Sequence, residues 1–143
     1  MKVAANTFVL DASMALAWCF DDESNDLAED ILDSLKGGSQ AITPGIWPLE
    51  VANVLLMAER RKRISLAKIM EQLGEIRKLP IIVEPADSPR AFDQILAVAR
   101  QLRLTVYDAA YLELAMRRAL PLATLDDSLG RAARAAGIPL VSV

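Results

Sequence analysis

Four acidic residues of this chain lie within apolar sequence, where a charge is costly. Asp11 closes the run TFVLD, Glu50 lies inside GIWPLEVANVLLMA, Asp108 interrupts LTVYDAAYLELA, and Asp126 follows LPLATL. An ionised carboxylate that is buried without a partner is strongly destabilising, so such groups are normally paired, hydrogen-bonded or metal-bound. The pattern therefore predicts a carboxylate cluster that holds a metal ion.

The chain contains no histidine, which narrows the chemistry of such a site. A Ser-His-Asp or Cys-His relay and a histidine-containing zinc site are excluded. Oxygen ligands alone favour a hard cation, Mg²⁺ or Mn²⁺. The single cysteine, Cys19, cannot close an intramolecular disulfide, and we interpret it as a small buried hydrophobic residue.

Length and composition indicate one domain over residues 1–143. The chain is 53% hydrophobic, and its net charge of −3 means that any nucleic-acid binding must be local. The N-terminal run MKVAANTFVLD has no long apolar core, so it does not resemble a signal peptide. The longest apolar stretch contains Glu50 and Asn53, which argues against a membrane span and favours a soluble cytoplasmic protein.

Short apolar segments alternate with helical patterns along the whole chain. We predict strands over 7–10, 41–43, 81–84, 121–125 and 139–143. Predicted helices begin at Ser13, after a Ser24 cap, at 46, after a Ser65 cap, after a Ser88 cap, at 106 and at 127. This alternation is typical of an α/β domain with a mainly parallel sheet and helices on both faces.

The predicted elements place the four acids near one another. Sites in open parallel sheets form beyond the carboxyl ends of the strands, and Asp11 and Asp126 both fall at such ends. Glu50 and Asp108 have mostly apolar neighbours one helical turn away, so both are expected to face inward. Asp108 lies in a first helical turn, where an anion is favoured, whereas Glu50 is expected in mid-helix.

Simpler structural roles exist for three of these acids. Asp11 and Asp126 could each be a helix N-cap, and Asp108 could be an ordinary first-turn acid. Glu50 has no such explanation in mid-helix, and all four are much harder to explain together in this way. Because adjacent side chains point in different directions, we predict that Asp126 is functional and that its neighbour Asp127 is not part of the site.

Other charged and aromatic features have simple interpretations. The acidic stretch 21–33 is expected to be a solvated helix face. The basic cluster Arg60 to Arg63 could complement a helix end or contact phosphates. Trp18 and Trp47 are expected in the core or in an interface.

Four segments together resemble the PIN-domain family, in particular the VapC toxins of bacterial and archaeal VapBC toxin–antitoxin modules. These segments are VLDASMALAW, PLEVANVLL, LTVYDAAYLELA and PLATLDDSL. Their order matches, and the resemblance spans nearly the whole chain. The segment YDAAYLELA is fairly specific for this family, whereas a first strand that ends in Asp-Ala-Ser is informative only together with the other three segments.

The resemblance implies a single PIN-like domain of residues 1–143, a three-layer α/β/α sandwich with a central, mainly parallel sheet. It also implies an Mg²⁺- or Mn²⁺-dependent endoribonuclease whose acidic site falls on Asp11, Glu50, Asp108 and Asp126. Asp11 and Asp108 match the motif most strongly and are the expected direct metal ligands. Glu50 and Asp126 would bind through water, orient the nucleophile or hold a second ion.

Two supporting residues and two protein partners are also implied by the resemblance. Asn53 and Thr124 match positions where the family tends to place polar support. The implied partners are a VapB-like antitoxin and a second copy of the chain in a homodimer, with RNA as the substrate. For the antitoxin, we predict an apolar groove on the helices that begin near Ile46 and Ser65, formed by Trp47, Leu56, Met57, Ile69, Met70 and Leu73.

Two other classes of protein compete with this interpretation. A carboxylate-metal phosphatase would need an Asp-x-Asp pair after the first strand, whereas Ala12 and Ser13 follow Asp11. A phosphotransfer receiver would need a lysine at the end of a late strand, and neither LATLDD nor PLVSV offers one. A non-catalytic PIN-like binding module is the second alternative, and four intact acids argue against it.

Overall fold

The computed structural model describes residues 6–142 of the chain. Residues 1–5, in the segment considered for a signal peptide, and Val143, the last residue of the predicted final strand, lie outside the described residues. The strands are β1 (Thr7–Leu10), β2 (Gln40–Pro44), β3 (Ile81–Glu84) and β4 (Leu122–Ala123). They form one sheet in the order β3-β2-β1-β4, and every pair is parallel.

Helices fill the connections between the strands. They are α1 (Ala12–Cys19), α2 (Asp26–Lys36), α3 (Trp47–Arg60), α4 (Leu66–Arg77), α5 (Ser88–Arg90), α6 (Leu96–Leu102), α7 (Val106–Arg118) and α8 (Asp127–Ala135). A 3₁₀ turn covers Asp21–Glu23, and a π-helical turn over Ala91–Ile95 joins α5 to α6. The predicted α/β alternation is therefore confirmed.

Three predicted boundaries were wrong by a few residues. Asn25 rather than Ser24 caps α2, because its amide oxygen accepts the Ala28 N–H at 2.9 Å. Asp87 precedes α5, so Ser88 is already helical. The predicted last strand is reduced to one parallel bridge between Leu122 and Leu140, because β4 is only two residues long.

The strand order places helices on both faces of the sheet. The chain moves outward in one direction from β1 to β2 to β3, and then returns across the sheet to β4. Because parallel crossovers are right-handed, this reversal puts α1 to α4 on one face and α5 to α7 on the other. The domain is thus an α/β sandwich around a parallel sheet, as predicted.

The core fixes α7 against the sheet. Phe8, Val9 and Leu10 of β1 are fully buried, and α7 packs across β1, β2 and β4 through Leu112 and other buried side chains. Rotation of α7 is therefore prevented, which sets the position of Asp108 relative to the end of β1. Cys19 is buried, as predicted. No helix within residues 6–142 is long and apolar enough to cross a membrane.

Candidate active site

Asp11 lies directly after β1 and begins α1 as its N-cap. Its side chain is almost fully buried, with 3% of the residue exposed. Oδ1 accepts hydrogen bonds from the Ser13 hydroxyl at 2.7 Å and the Met14 N–H at 3.2 Å, and Oδ2 accepts one from the Thr124 hydroxyl. The structural role considered for Asp11 is therefore real, but an N-cap alone does not require this burial.

Two hydroxyls join the carboxyl ends of β1 and β4. Ser13 donates to Asp11 and accepts the Leu125 N–H at 2.9 Å, while Thr124 donates to Asp11 and accepts the Asp126 N–H at 3.0 Å. From β1 the chain enters a helix on one face of the sheet and from β4 a helix on the other face, so a crevice opens between them. Thr124 thus contacts the site as expected of a supporting residue.

Asp126 is the most open of the four acids. It caps α8 by accepting the Leu129 N–H at 3.0 Å, and it is exposed, so the expectation that every acid is buried was wrong for this residue. It follows a two-residue strand, and its side chain turns outward to the helix start. Asp126 nevertheless raises the pKa of both Asp11 and Asp108 by charge repulsion, which places it close to both.

Glu50 is half-buried and lies in the first turn of α3, not in mid-helix as predicted. The helix begins at Trp47, so the helix dipole also favours a charge at this position. Glu50 therefore has a structural role at the start of α3, contrary to the prediction. Its Oε1 accepts a short hydrogen bond from the Tyr111 hydroxyl, a contact that helix position alone does not explain.

Asp108 is half-buried in the first turn of α7, as predicted. Thr105 caps this helix, and its hydroxyl accepts the Asp108 N–H at 3.1 Å. Tyr111 follows Asp108 by one turn on the same helix and holds Glu50. One helix therefore brings Asp108 to the site and anchors the carboxylate that α3 contributes.

The four acids form one electrostatic cluster. Burial raises the pKa of Asp11 to about 6, against the hydroxyl and amide donors that lower it and with a further rise from Asp126. Burial also raises the pKa of Glu50, with Asp108 adding to the rise, and the pKa of Asp108, with Asp126 adding to it. Charge repulsion therefore links Glu50 to Asp108, Asp108 to Asp126 and Asp126 to Asp11.

The donor chemistry of this cluster fits a hard divalent cation. Within residues 6–142, no three acidic, cysteine or histidine side chains stand close enough together to enclose a metal ion. Mg²⁺ does not need such a cage, because it usually keeps several waters and takes one or two carboxylates from the protein. The mutual repulsion of the acids supplies a reason for a cation to bind there.

Sequence reasoning did not assign Ser13 and Tyr111 to the site. Tyr111 is 2% exposed in an apolar helix, and its only sequence signal is its spacing of three residues from Asp108. Ser13 was visible only as part of the Asp-Ala-Ser motif. Asn53, expected as polar support, is exposed on α3, so a supporting role for it stays a prediction.

The remaining charged and aromatic predictions have clear outcomes. Arg63 pairs with Asp22 at 2.8 Å and Glu23 at 3.1 Å, and its guanidinium lies 4.1 Å from the centre of the Phe20 ring. Arg63, in the turn after α3, thus connects that turn to the acidic stretch. Trp47 is buried, and the half-buried Trp18 donates to the Ala28 carbonyl at 2.8 Å.

Comparison with known families identifies the fold. The model of the PIN domain family matches residues 8–135, and the chain therefore belongs to the PIN-domain family. PIN domains are generally nucleases, and they generally use divalent metal ions. No curated protein sequence matches the chain significantly.

Three solved structures share this fold. PAE2754 from Pyrobaculum aerophilum has a TM-score of 0.67 and 22% identity, with 90% of this chain and 84% of that chain covered. A toxin–antitoxin complex from Klebsiella pneumoniae has a TM-score of 0.56 and 15% identity, with 83% of this chain and 86% of that chain covered. FitAcB from Neisseria gonorrhoeae has a TM-score of 0.55 and 21% identity, with 94% of this chain and 96% of that chain covered.

Proposed function

We propose that this protein is a metal-dependent endoribonuclease and the toxic component of a type II toxin–antitoxin module, a VapC-type PIN protein. The observation that carries the proposal is the cluster of Asp11, Glu50, Asp108 and Asp126 at the β1/β4 crevice. The neighbours that shift the pKa of the first three are hydroxyls, an amide and other carboxylates. A site of this kind favours a divalent cation and, through it, a phosphodiester.

The positions of the four acids suggest a different role for each in metal binding and catalysis. Asp11 and Asp108 are the proposed direct ligands of Mg²⁺ or Mn²⁺, because Asp11 is held rigidly and Asp108 lies between the other acids. Glu50, oriented by Tyr111, is suited to position the attacking water, and Asp126 to contact the ion through solvent. When bound, the cation neutralises the phosphate and stabilises the leaving oxygen.

The competing classes fit this geometry less well. A phosphatase of the Asp-x-Asp type would have a second carboxylate two residues after Asp11. Ser13 stands there instead, and its hydroxyl joins Asp11 to Leu125. A binding module would not need a buried acid whose pKa is raised to about 6.

Metal-dependent cleavage is tested directly with the purified chain and end-labelled RNA. We expect cleavage with Mg²⁺ or Mn²⁺, none in excess EDTA, and recovery when the ion is restored. The same ions should raise the melting temperature, since a bound cation relieves carboxylate repulsion. Undiminished cleavage in excess EDTA would sink the proposed mechanism.

The proposed protein partner is a VapB-like antitoxin that docks on α3 and α4. The predicted groove is present only in part, because Trp47 and Ile69 are buried in the core. The exposed large apolar side chains on these helices are Leu49, Val54, Leu56, Leu66 and Met70. An amphipathic segment could cover this surface, and a cation that it carries could reach the acidic cluster and displace the metal.

Co-expression tests this partner and the toxin role together. Expression of the chain alone should arrest growth, and co-expression with the open reading frame adjacent to its gene should restore growth and yield a co-purified complex. Harmless expression of the intact chain without a bound partner would contradict the toxin role. RNA as substrate and an antitoxin of this kind both imply action in the cytoplasm.

A homodimer is also proposed, through the helical segment after β3. Phe92 is 79% exposed and Leu96 is 43% exposed. They are four residues apart on continuous helix and therefore share a face. Light scattering of the protein and of Phe92→Ser should show a dimer and a monomer respectively; an unchanged dimer in the variant would exclude this face.

A further inference from the structure

A second concave site lies on the same edge of the sheet as the acidic cluster. A cavity of about 230 Å³ is lined by the last residues of β2 and β3 and those that follow them, from Pro44 to Ile46 and from Glu84 to Asp87, together with one face of α7. Because all strands are parallel, the ends of β2 and β3 share an edge with the ends of β1 and β4. Strands are about 4.8 Å apart, so the cavity and the acids are separated by roughly 5–10 Å.

The cavity and the acidic cluster also share two helices. On α7, Val106 and Tyr107 line the cavity, and Asp108 is the next residue. At the start of α3, Ile46 lines the cavity, and Glu50 follows one turn later. A polymer bound across the acids would therefore extend into the cavity within about one monomer.

One glycine shapes the wall of the cavity. A Cβ on Gly45 would come within 2.8 Å of the Ala86 nitrogen and 3.1 Å of the Glu84 carbonyl oxygen. The loop after β2 can approach the loop after β3 this closely only because residue 45 has no side chain. The wall is therefore backbone packed on backbone, which makes it a fixed surface.

The polar lining of the cavity is balanced in charge. Two carboxylates, Glu84 and Asp87, face two guanidiniums, Arg90 and Arg117. Arg117 is engaged by Glu84 and Glu113, but among the described residues Arg90 has ion-pair contacts only at 3.6 Å, with Asp87 and Glu113. Arg90 thus retains donors for a ligand. A balanced lining gives no net attraction for a phosphate or a metal ion, and it suits an uncharged polar group.

We infer that this cavity binds one unpaired nucleobase of the RNA, next to the phosphodiester that the acidic cluster cleaves. The inference rests on the proposed function. The cavity is smaller than the 300–1,000 Å³ or so that is usual for drug-sized ligands, which matches a single ring system. Arg90 can donate to base acceptors, Asp87 can accept from base N–H groups, and Tyr107, 59% exposed, offers an aromatic face for stacking.

The test compares the base preference of cleavage by the wild type and by cavity variants. Each protein is incubated with total cellular RNA and with randomised oligoribonucleotides, and the cut ends are sequenced. The wild type should favour one base at a position beside the cleaved bond. Arg90→Met should reduce this preference by about tenfold, since an arginine that bonds a base edge contributes discrimination of that order. Ala86→Trp, an exposed position on the cavity rim, should block the cavity and also flatten the preference.

Arg118→Met is the matched control, because Arg118 pairs with Glu84 at 3.1 Å but does not line the cavity. It should keep the wild-type preference. Cleavage without base preference, or a preference that survives both Arg90→Met and Ala86→Trp, would overturn the inference. If those variants lost only antitoxin binding, the cavity would belong to the antitoxin, and the inference would be equally wrong.

A binding measurement separates this inference from the proposed function. RNA homopolymers of the four bases are titrated into wild type and Ala86→Trp in excess EDTA, which stops metal-dependent cleavage, and cleavage itself is measured separately with Mg²⁺. If wild type binds one base preferentially, Ala86→Trp loses that preference, and the cleavage assay shows no RNA cleavage, the cavity is supported and the endoribonuclease is refuted. If RNA is cleaved but all four polymers bind equally, the endoribonuclease is supported and the base-binding cavity is refuted.

Discussion

The carboxylates near the two ends of α7 have opposite electrostatic surroundings. Toward its C-terminal end, Glu113 is 5% exposed and bonded by Arg117, which also bonds Glu84. The pKa of Glu84 is lowered, chiefly by its hydrogen bond from Arg117. At the N-terminal end, burial and the charge of Asp126 raise the pKa of Asp108, and burial also raises the pKa values of Asp11 and Glu50.

This difference separates structural acids from functional ones. A carboxylate that folds together with a guanidinium is neutralised within the chain, and it needs no further ion. A carboxylate buried among other carboxylates makes the fold less stable unless a cation arrives from solvent. Burial alone does not distinguish the two groups, because Glu113 is as buried as Asp11; the charge of the neighbours does.

The largest expected effect is loss of cleavage on neutralising the acidic cluster. Asp11→Asn or Asp108→Asn keeps the side-chain shape but removes a charge, so RNA cleavage should fall by orders of magnitude while the circular dichroism spectrum is retained. Asp127→Asn is the matched control and should have a mild effect. If Asp127→Asn reduced RNA cleavage as much as Asp108→Asn, the functional residue of the pair would be Asp127 and not Asp126.

A loss of stability is expected at the paired group. Arg117→Met would leave Arg90, at 3.6 Å, as the one cation near the buried Glu113 within residues 6–142. The free energy of unfolding should fall by about 3 kcal/mol, the cost of breaking a buried pair from one side. Urea unfolding would measure this. Glu113→Leu combined with Arg117→Leu should recover part of the loss, and a single-variant cost below about 1 kcal/mol would make the network a surface feature.

The acidic cluster should make the free energy of unfolding depend on pH, with a sign opposite to that expected from the lowered pKa of Glu84. The folded pKa of Asp11, about 6, lies above its ordinary value of 3.8, so the folded state binds more protons between these values. Stability in EDTA should therefore rise as the pH falls from 7 to 5, by about 1 kcal/mol. The lowered pKa of Glu84 acts only below its ordinary value of 4.5, outside this window.

Thermal melts across this pH range test the expectation, with Asp11→Asn as the comparison. The variant should be more stable than the wild type at pH 7 in EDTA, and its melting temperature should depend less on pH. A wild-type protein that loses stability steadily from pH 7 to 5 would contradict the raised pKa.

The smallest expected effect concerns Tyr111, which donates to Glu50. Tyr111→Phe removes one hydrogen bond, so cleavage should fall roughly fivefold. Because that bond lowers the pKa of Glu50, its loss should also move the acid limb of the pH–rate profile to higher pH. An unshifted profile with a lower rate would mean that Tyr111 acts only through packing.

Local patterns were enough to predict the type and order of nearly all elements. Strand runs such as TFVL and IIVE, the Ser65 cap and the first-turn position of Asp108 depend on residues within a few positions of one another. The positions of Asp11 and Asp126 after strands were predictable for the same reason. Boundaries failed where two polar residues competed for one cap, as Ser24 and Asn25 do.

The sequence by itself therefore determined an α/β chain with acids at the strand ends, because helix and strand periodicity and caps are local properties. Only the tertiary structure decided which acids are joined. Thr124 reaches Asp11 across 113 positions and Tyr111 reaches Glu50 across 61. It also decided that Arg117 of α7 bonds Glu84 of β3, whereas Asp11 meets the Thr124 hydroxyl. These contacts depend on strand order and on the packing of α7, which no local pattern encodes.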